Sequence, residues 1–264
     1  MGILNVTPDS FADGGRWVAL DSAVEHGRAM QRQGAAIVDV GAESTRPGAT
    51  PVDEAEQKRR VVPVVAELAR SGAVSIDTRH RGVAEAAIEA GAVLVNDVSA
   101  TLWPVAASAQ VGWVTMHSSC PGGSISEMHA LGGQRESGDV VDEIVSFLVE
   151  RAAQARAAGV PTVLIDPGLG FGKTQNDNVA LVARLDELVA TGWPVLIGAS
   201  RKRFVGAMTG GDSGPDDRLE GSLAVATWAF VQRAAMVRVH DVASTVAARR
   251  LVLEHVEMVE GQAA

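Results

Sequence analysis

AVSIDTRHRGVAEAAIEAGAVLVND, residues 73–97, opens on a short apolar run rich in β-branched residues, Ala73 to Ile76, and closes on another, Ala92 to Val95, with a longer helical pattern between. Each run ends on polar groups, Asp77 in the first and Asn96 with Asp97 in the second. A near-continuous apolar strand, a helix and a second such strand describe a unit of parallel sheet covered by helices. Six further runs extend the pattern in both directions: Gly2 to Val6, Ala36 to Val40, Trp113 to Met116, Val163 to Ile165, Pro194 to Ile197 and Met236 to Val239. Between them, residues such as Val141, Ile144, Val145, Leu148 and Ala152 recur at helical spacing, with Glu143, Glu150 and Arg151 on the solvated face. Eight such units in this length predict an α/β protein of the closed (β/α)8 TIM barrel type; a doubly wound open sheet is the alternative.

The length of 264 residues fits one barrel domain spanning 1–264. Hydrophobic residues make up 47% and charged residues 21%, so a sizeable core can form and long disorder is not expected. Twenty-three Lys and Arg against 32 Asp and Glu leave a net charge of −9, which argues against general nucleic-acid binding. The single cysteine, Cys120, excludes an internal disulfide framework. The start MGILNVTPDS lacks the pattern of a signal peptide, and no stretch reaches the roughly 18 apolar residues of a membrane span, so the reading is a cytoplasmic protein.

Polar residues gather where a barrel builds its site. Asn5, Asp39, Asp77, Asn96 with Asp97, His117, Asp166, Ser200 and His240 each fall at or just beyond the C-terminal end of a predicted strand. One such residue could simply cap the next helix; a succession of eight points to a shared mouth. The longest irregular stretches, Ser118 to Gly138 and Gly210 to Asp217, read as surface loops beside it.

Residues 166–174, DPGLGFGKT, invite a phosphate-loop reading and fail it. A Walker loop needs glycine at 167, where Pro167 stands, and the glycines at 168, 170 and 172 do not follow the GxGxxG spacing of a dinucleotide fold. Glycines there instead let backbone approach a flat ligand, with Asp166 either a cap or an acceptor for ring N–H and amino donors. Arg201, Lys202 and Arg203 follow strand seven, a local cationic cluster in an acidic chain. Arg238 and His240 share one side of strand eight and make a plausible anion-binding pair; a structural Arg–Asp pair is the alternative. The loops Asn5 to Gly15 and Gly41 to Ala49, rich in Gly and Pro, read either as lids or as ordinary surface turns.

The segments GILNVTPDSFADGG, DVGAESTRPGA, SIDT, NDVSA, Met116-His117, IDPGLGFGKT, GASRKRFVG and RVHDV, in this order, resemble the dihydropteroate synthase family, the pterin-binding barrels of folate biosynthesis that sulfonamides target. The resemblance implies a transferase that condenses 6-hydroxymethyl-7,8-dihydropterin pyrophosphate with p-aminobenzoate, releasing pyrophosphate and forming 7,8-dihydropteroate. It also implies the roles of particular residues. Asp77, Asn96 and Asp166 would hydrogen-bond the pterin edge, with Met116 packing in its pocket and Lys202 near the ring. Asn5, Arg238 and His240 would bind pyrophosphate, Asn5 also through Mg²⁺. Thr45, Arg46, Pro47, Phe171, Lys202 and Arg203 would form the p-aminobenzoate site, while Phe11 and Asp13 close the reacting centre as a lid. Asp13, Lys202, Asn5, Arg238 and His240 would then be the catalytic set, in a protein whose family is usually homodimeric. Two competing readings are methyl transfer from a reduced folate to a cobalamin partner and a catalytically silent, pterin-binding paralogue.

Overall fold

The computed structural model describes residues 1–6, 15–43, 52–119, 138–209, 214 and 218–262, with side chains placed except at 15–19 and 254–262. The first half runs β1 (Gly2–Asn5), α1 (Gly15–Arg32), β2 (Val38–Gly41), α2 (Glu54–Leu68), β3 (Val74–Asp77), α3 (Arg81–Glu89), β4 (Leu94–Asp97) and α4 (Trp103–Ala109). The second continues through β5 (Gly112–Met116), α5 (Val140–Ala157), β6 (Val163–Asp166), α6 (Gln175–Ala183) and α7 (Leu185–Ala190). It ends with β7 (Leu196–Ile197), α8 (Arg203–Met208), α9 (Leu219–Val231), β8 (Met236–Val237) and α10 (Val242–Gln262). Every run read as a strand in the sequence overlaps one.

Strands β1 to β6 form one parallel sheet in sequential order, and β7 pairs in parallel with β8. Single bridges join these two sheets, Ile165 to Val195 at one seam and Gly2 to Val239 at the other. Hydrogen bonds reinforce both seams: Ile165 N donates to Pro194 O at 2.9 Å, and Ile3 N donates to Val239 O at 2.9 Å. The ring of eight strands is thereby joined all round, with its narrowest ladders at β7 and β8.

Alternation along the strands sorts the apolar residues into two cores. Outward-facing Val40, Ile76, Val95, Trp113, Val163 and Ile165 belong to the large cluster that also takes in Val61, Val65, Leu68, Ile144 and Leu148 of the helices. Inward-facing Met1, Ile37, Leu94, Val114, Leu164 and Leu196 form a separate cluster, with Met236 against it, inside the barrel. Layers of this kind fill such barrels from below and leave the upper end for function.

The register also tells a site residue from a structural one. Asp97 follows Asn96, so it faces the helices and not the barrel axis. Its carboxylate accepts from Ser99 N (2.9 Å), Thr101 N (2.8 Å), Leu102 N (2.7 Å) and Trp113 Nε1 (3.2 Å), closing the turn into α4. Burial pushes its carboxyl up in pKa, and these hydrogen bonds oppose the shift. Of the two polar residues ending β4, therefore, Asp97 holds the turn before α4 and Asn96 belongs to the mouth.

Candidate active site at the barrel mouth

Two residues beyond each member of the interior cluster stand Ile3, Asp39, Asn96, Met116, Asp166, Gly198 and Arg238. The period of two thus stacks a mostly polar layer directly on the apolar floor. Asn5, Gly41, Asp77 and Asn96 are neighbours in register across β1 to β4. Asp39 does not end its strand, as the sequence reading had it: pairing of β2 continues to Gly41, which seats Asp39 one layer deeper and leaves it fully buried. At Gly41 a Cβ would stand 3.4 Å from the Asp77 Cβ and 3.8 Å from Asn5 Oδ1, so the bare backbone keeps room between those side chains.

Charge compensation in this layer is centred on Arg238. Its Nε donates to Asp39 Oδ2 and its Nη2 to Asp77 Oδ2, each at 2.6 Å. Asn96 Nδ2 donates to the same Asp39 oxygen at 2.9 Å. Burial lifts the Asp77 carboxyl to about 7 against the pull of the guanidinium, while Asp39 and Asp77 together raise the pKa of Arg238. The structural alternative for Arg238, an Arg–Asp pair, does form, with Asp39 and Asp77 and not with the neighbouring Asp241. Asp241 instead receives Arg201 Nη2 at 2.9 Å. Beyond Arg238, the imidazole of His240 meets Ser200 Oγ through Nδ1 at 3.0 Å, and His240 N donates to the same hydroxyl at 3.2 Å.

The opposite wall is the turn after β6. Asp166 Oδ1 accepts from Gly168 N at 2.7 Å, so this carboxylate caps its own turn while facing the axis. Burial raises its pKa, opposed chiefly by Lys202. Lys202 donates to Leu169 O and lies 4.6 Å over the Phe171 ring; burial holds its ammonium down to about 8. Met116, Phe171 and Val98 pack as a small apolar cluster at this level. Arg203 is exposed at the start of α8, and Asn5 is exposed at the end of β1. Phe11, Asp13, Thr45, Arg46 and Pro47, to which the sequence reading gave the lid and much of the p-aminobenzoate site, lie outside the described residues, as does Cys120.

Sequence reasoning gave no role to Lys173. Its Nζ contacts His117 O (3.2 Å), Gly168 O (2.9 Å), Phe171 O (3.2 Å) and His117 Nδ1 (3.1 Å), tying the end of β5 to the turn after β6. The partners are mostly backbone carbonyls, two in its own turn and one on distant His117, which no side-chain pattern reveals. Burial pushes this ammonium down to about 7. Between about pH 7 and its unfolded value near 10.4 the native state has released a proton that the unfolded chain retains, so stability rises with pH across that window. Lys173→Met is expected to flatten this rise by about one proton. Urea melts from pH 6 to 10 check it, and an unchanged slope would show the group to be ionised in the fold.

Residues 1–240 match the family model described as pterin binding enzyme. The chain is 47% identical over 264 residues to the dihydropteroate synthase of Mycobacterium leprae (strain TN), with 96% of this chain and 91% of that protein covered. It superimposes with a TM-score of 0.85 on the Xanthomonas albilineans dihydropteroate synthase solved with 4-aminobenzoic acid, at 43% identity over 97% of this chain and 92% of the other. The enzyme of that organism in complex with 7,8-dihydropteroate gives 0.82 at 40% identity, over 97% and 92%. Identity of this extent along nearly the whole of both partners leaves one assignment: the chain belongs to the pterin binding enzyme family, among its dihydropteroate synthases.

Proposed function

We propose that this protein condenses 6-hydroxymethyl-7,8-dihydropterin pyrophosphate with p-aminobenzoate to give 7,8-dihydropteroate and pyrophosphate. The observation that carries the reading is the interior polar layer, in which acceptors for a pterin edge stand beside a cationic group for an anion. Asp77, Asn96 and Asp166 take the pterin donors over the apolar surface of Met116. Arg238 and His240, two residues apart just past β8, take the pyrophosphate. In the reaction the bond from the pterin methylene carbon to the pyrophosphate oxygen breaks, and the arylamine nitrogen bonds to that carbon and loses a proton. Donors preorganised around the departing anion stabilise the charge that develops on it. A neutral arylamine is itself nucleophilic, so its placement matters more than a strong base. Phe171 under the Lys202 ammonium offers a ring wall and a cation for the aminobenzoate carboxylate; the family resemblance assigns Arg203, Thr45, Arg46 and Pro47 to the same ligand. Phe11 and Asp13 would close over the reacting carbon and exclude water.

Mg²⁺ fits this mouth as a substrate-borne ion. Among the described residues no group of three or more His, Cys, Asp or Glu could hold a metal, whereas Asn5 presents an exposed amide at the end of β1. Mg²⁺ commonly keeps several waters and is completed by substrate phosphates, so one amide oxygen suffices. When bound it would neutralise charge on the leaving pyrophosphate. We further propose a cytoplasmic homodimer. No helix among the described residues is long and apolar enough to cross a membrane, and α9, with Trp228 and Val231 exposed, packs against α10, where Leu251 and Leu253 are also exposed.

The direct test is formation of dihydropteroate from the two substrates with Mg²⁺. No product under saturating substrate would defeat the reading; the pterin bound without turnover would point to a silent paralogue. Asp166→Ala is expected to weaken pterin binding by about 1–3 kcal/mol, because ring donors are left without an acceptor. Calorimetry giving wild-type affinity would remove Asp166 from the pocket. Arg46→Ala is expected to raise the KM for p-aminobenzoate about tenfold or more while leaving pterin affinity unchanged, the loss of one charge-assisted contact. Equal losses for both ligands would make Arg46 a structural residue.

A further inference from the structure

We propose that Asp39 is a positioning residue that sets both halves of the pterin pyrophosphate site from one carboxylate oxygen. The inference rests on the functional reading above and adds to it a residue with no place against either substrate. Asp39 is fully buried in β2, two residues below Gly41 at the strand end. Two donors from different strands converge on its Oδ2: Asn96 Nδ2 of β4 at 2.9 Å and Arg238 Nε, just past β8, at 2.6 Å. Its Oδ1 is buried and has no hydrogen-bond partner among the described residues, so the contacts of this side chain run through one atom.

That convergence has a chemical consequence for each partner. A carboxylate only accepts, so Asn96 must turn its nitrogen to Asp39 and hold its carbonyl oxygen away from it. The pterin edge offers donors, and the amide is thereby fixed with its acceptor as the working end. Arg238 is held through Nε by Asp39 and through Nη2 by Asp77, which fixes the guanidinium plane before any anion arrives. Preorganised groups of this kind lose less freedom on binding. Without Asp39 the amide could flip and the guanidinium could turn about its last bonds, although every group that touches substrate would still be present.

Asp39→Asn retains shape and removes the charge; its one oxygen can take both donors only if its NH2 is buried where Oδ1 stood, a place with no acceptor among the described residues. It is expected to weaken both 6-hydroxymethylpterin and inorganic pyrophosphate with Mg²⁺ by about tenfold each in calorimetric titrations, a single substitution acting on two ligands it does not contact. The paired variant Asp39→Asn with Asn96→Asp reverses the hydrogen bond while preserving net charge: with the amide turned so that its nitrogen faces residue 96 and its oxygen faces Arg238, it donates to the first and accepts from the second. Pterin affinity is then expected to return to within about threefold of wild type. A merely structural role would not produce that reciprocal rescue, and thermal melts of all variants separate folding from binding. Wild-type affinities for both ligands in the single variant, or loss for one ligand alone, would overturn the proposal, as would a paired variant no better than the single one. Should the single variant fail to fold, the paired variant decides by the same threefold criterion, and its own failure to fold also counts against the proposal. Wild-type protein that binds neither ligand would instead overturn the functional reading beneath it.

Discussion

Arg238→Met is expected to lower the unfolding free energy by about 3–5 kcal/mol, the usual effect of removing one partner from a buried charge cluster. The methionine fills much of the volume and supplies none of the compensation, leaving Asp39 and Asp77, on the adjacent strands β2 and β3, without their shared cation. The pH dependence identifies the cause. Asp77 stands at about 7 even beside the guanidinium, and without it the carboxyl moves higher. A group whose folded pKa lies above its unfolded value near 3.9 destabilises increasingly as pH rises between the two values. The deficit should therefore be larger at pH 8 than at pH 5 in urea titrations. A deficit independent of pH would mean that lost packing, and not the carboxylates, is responsible. Pyrophosphate binding should fall in the same variant, since the anion loses its guanidinium.

Gly168→Ala is the second large effect, expected to destabilise by about 2–4 kcal/mol and to abolish measurable pterin binding. Gly168 has φ of 67°, and a Cβ there would stand 1.9 Å from His117 O, a backbone atom that cannot swing aside. The turn must move, taking with it the N–H that caps Asp166 and the carbonyl that receives Lys173. Gly170 offers an internal comparison. Its φ is 80°, but the nearest atom to an added Cβ is Lys202 Cδ at 3.2 Å, part of a flexible side chain. Gly170→Ala should thus retain more pterin affinity than Gly168→Ala when the two are titrated side by side. Equal affinities would show that the close approach to His117 is relieved elsewhere.

The barrel was legible because its strands are buried on both faces, so each is an apolar run with little alternation to confuse the reading. Strand ends were less so. Pairing continues through Asp77, Asp97 and Asp166, polar residues that a hydrophobicity pattern places outside the strand. At β7 and β8 the error reverses: Pro194 and Val239 fall outside two-residue strands although their backbones still bond across the seams. Inward-facing Asp77, Asn96, Asp166 and Arg238 were singled out in the sequence because a barrel concentrates function at one strand end, and Met116 because of the family resemblance. Their mutual geometry was not. Nothing local in the sequence pairs Asp39 with Arg238, and nothing distinguishes Asp97 from Asn96 except which of two neighbours faces the axis.

The contacts that close the site also set when it can exist. Arg238 meets Asp39 across 199 positions of sequence and Asp77 across 161. During synthesis on the ribosome, which releases the amino-terminal part first, β1 to β6 can pair in chain order while the last strand is still unmade. Until residue 238 emerges, the acidic interior has no guanidinium and the ring has no eighth strand. Closing so long a loop is entropically expensive, and non-local pairing of this kind slows folding. Ligand competence should therefore appear late and all at once in refolding, behind the bulk of the secondary structure.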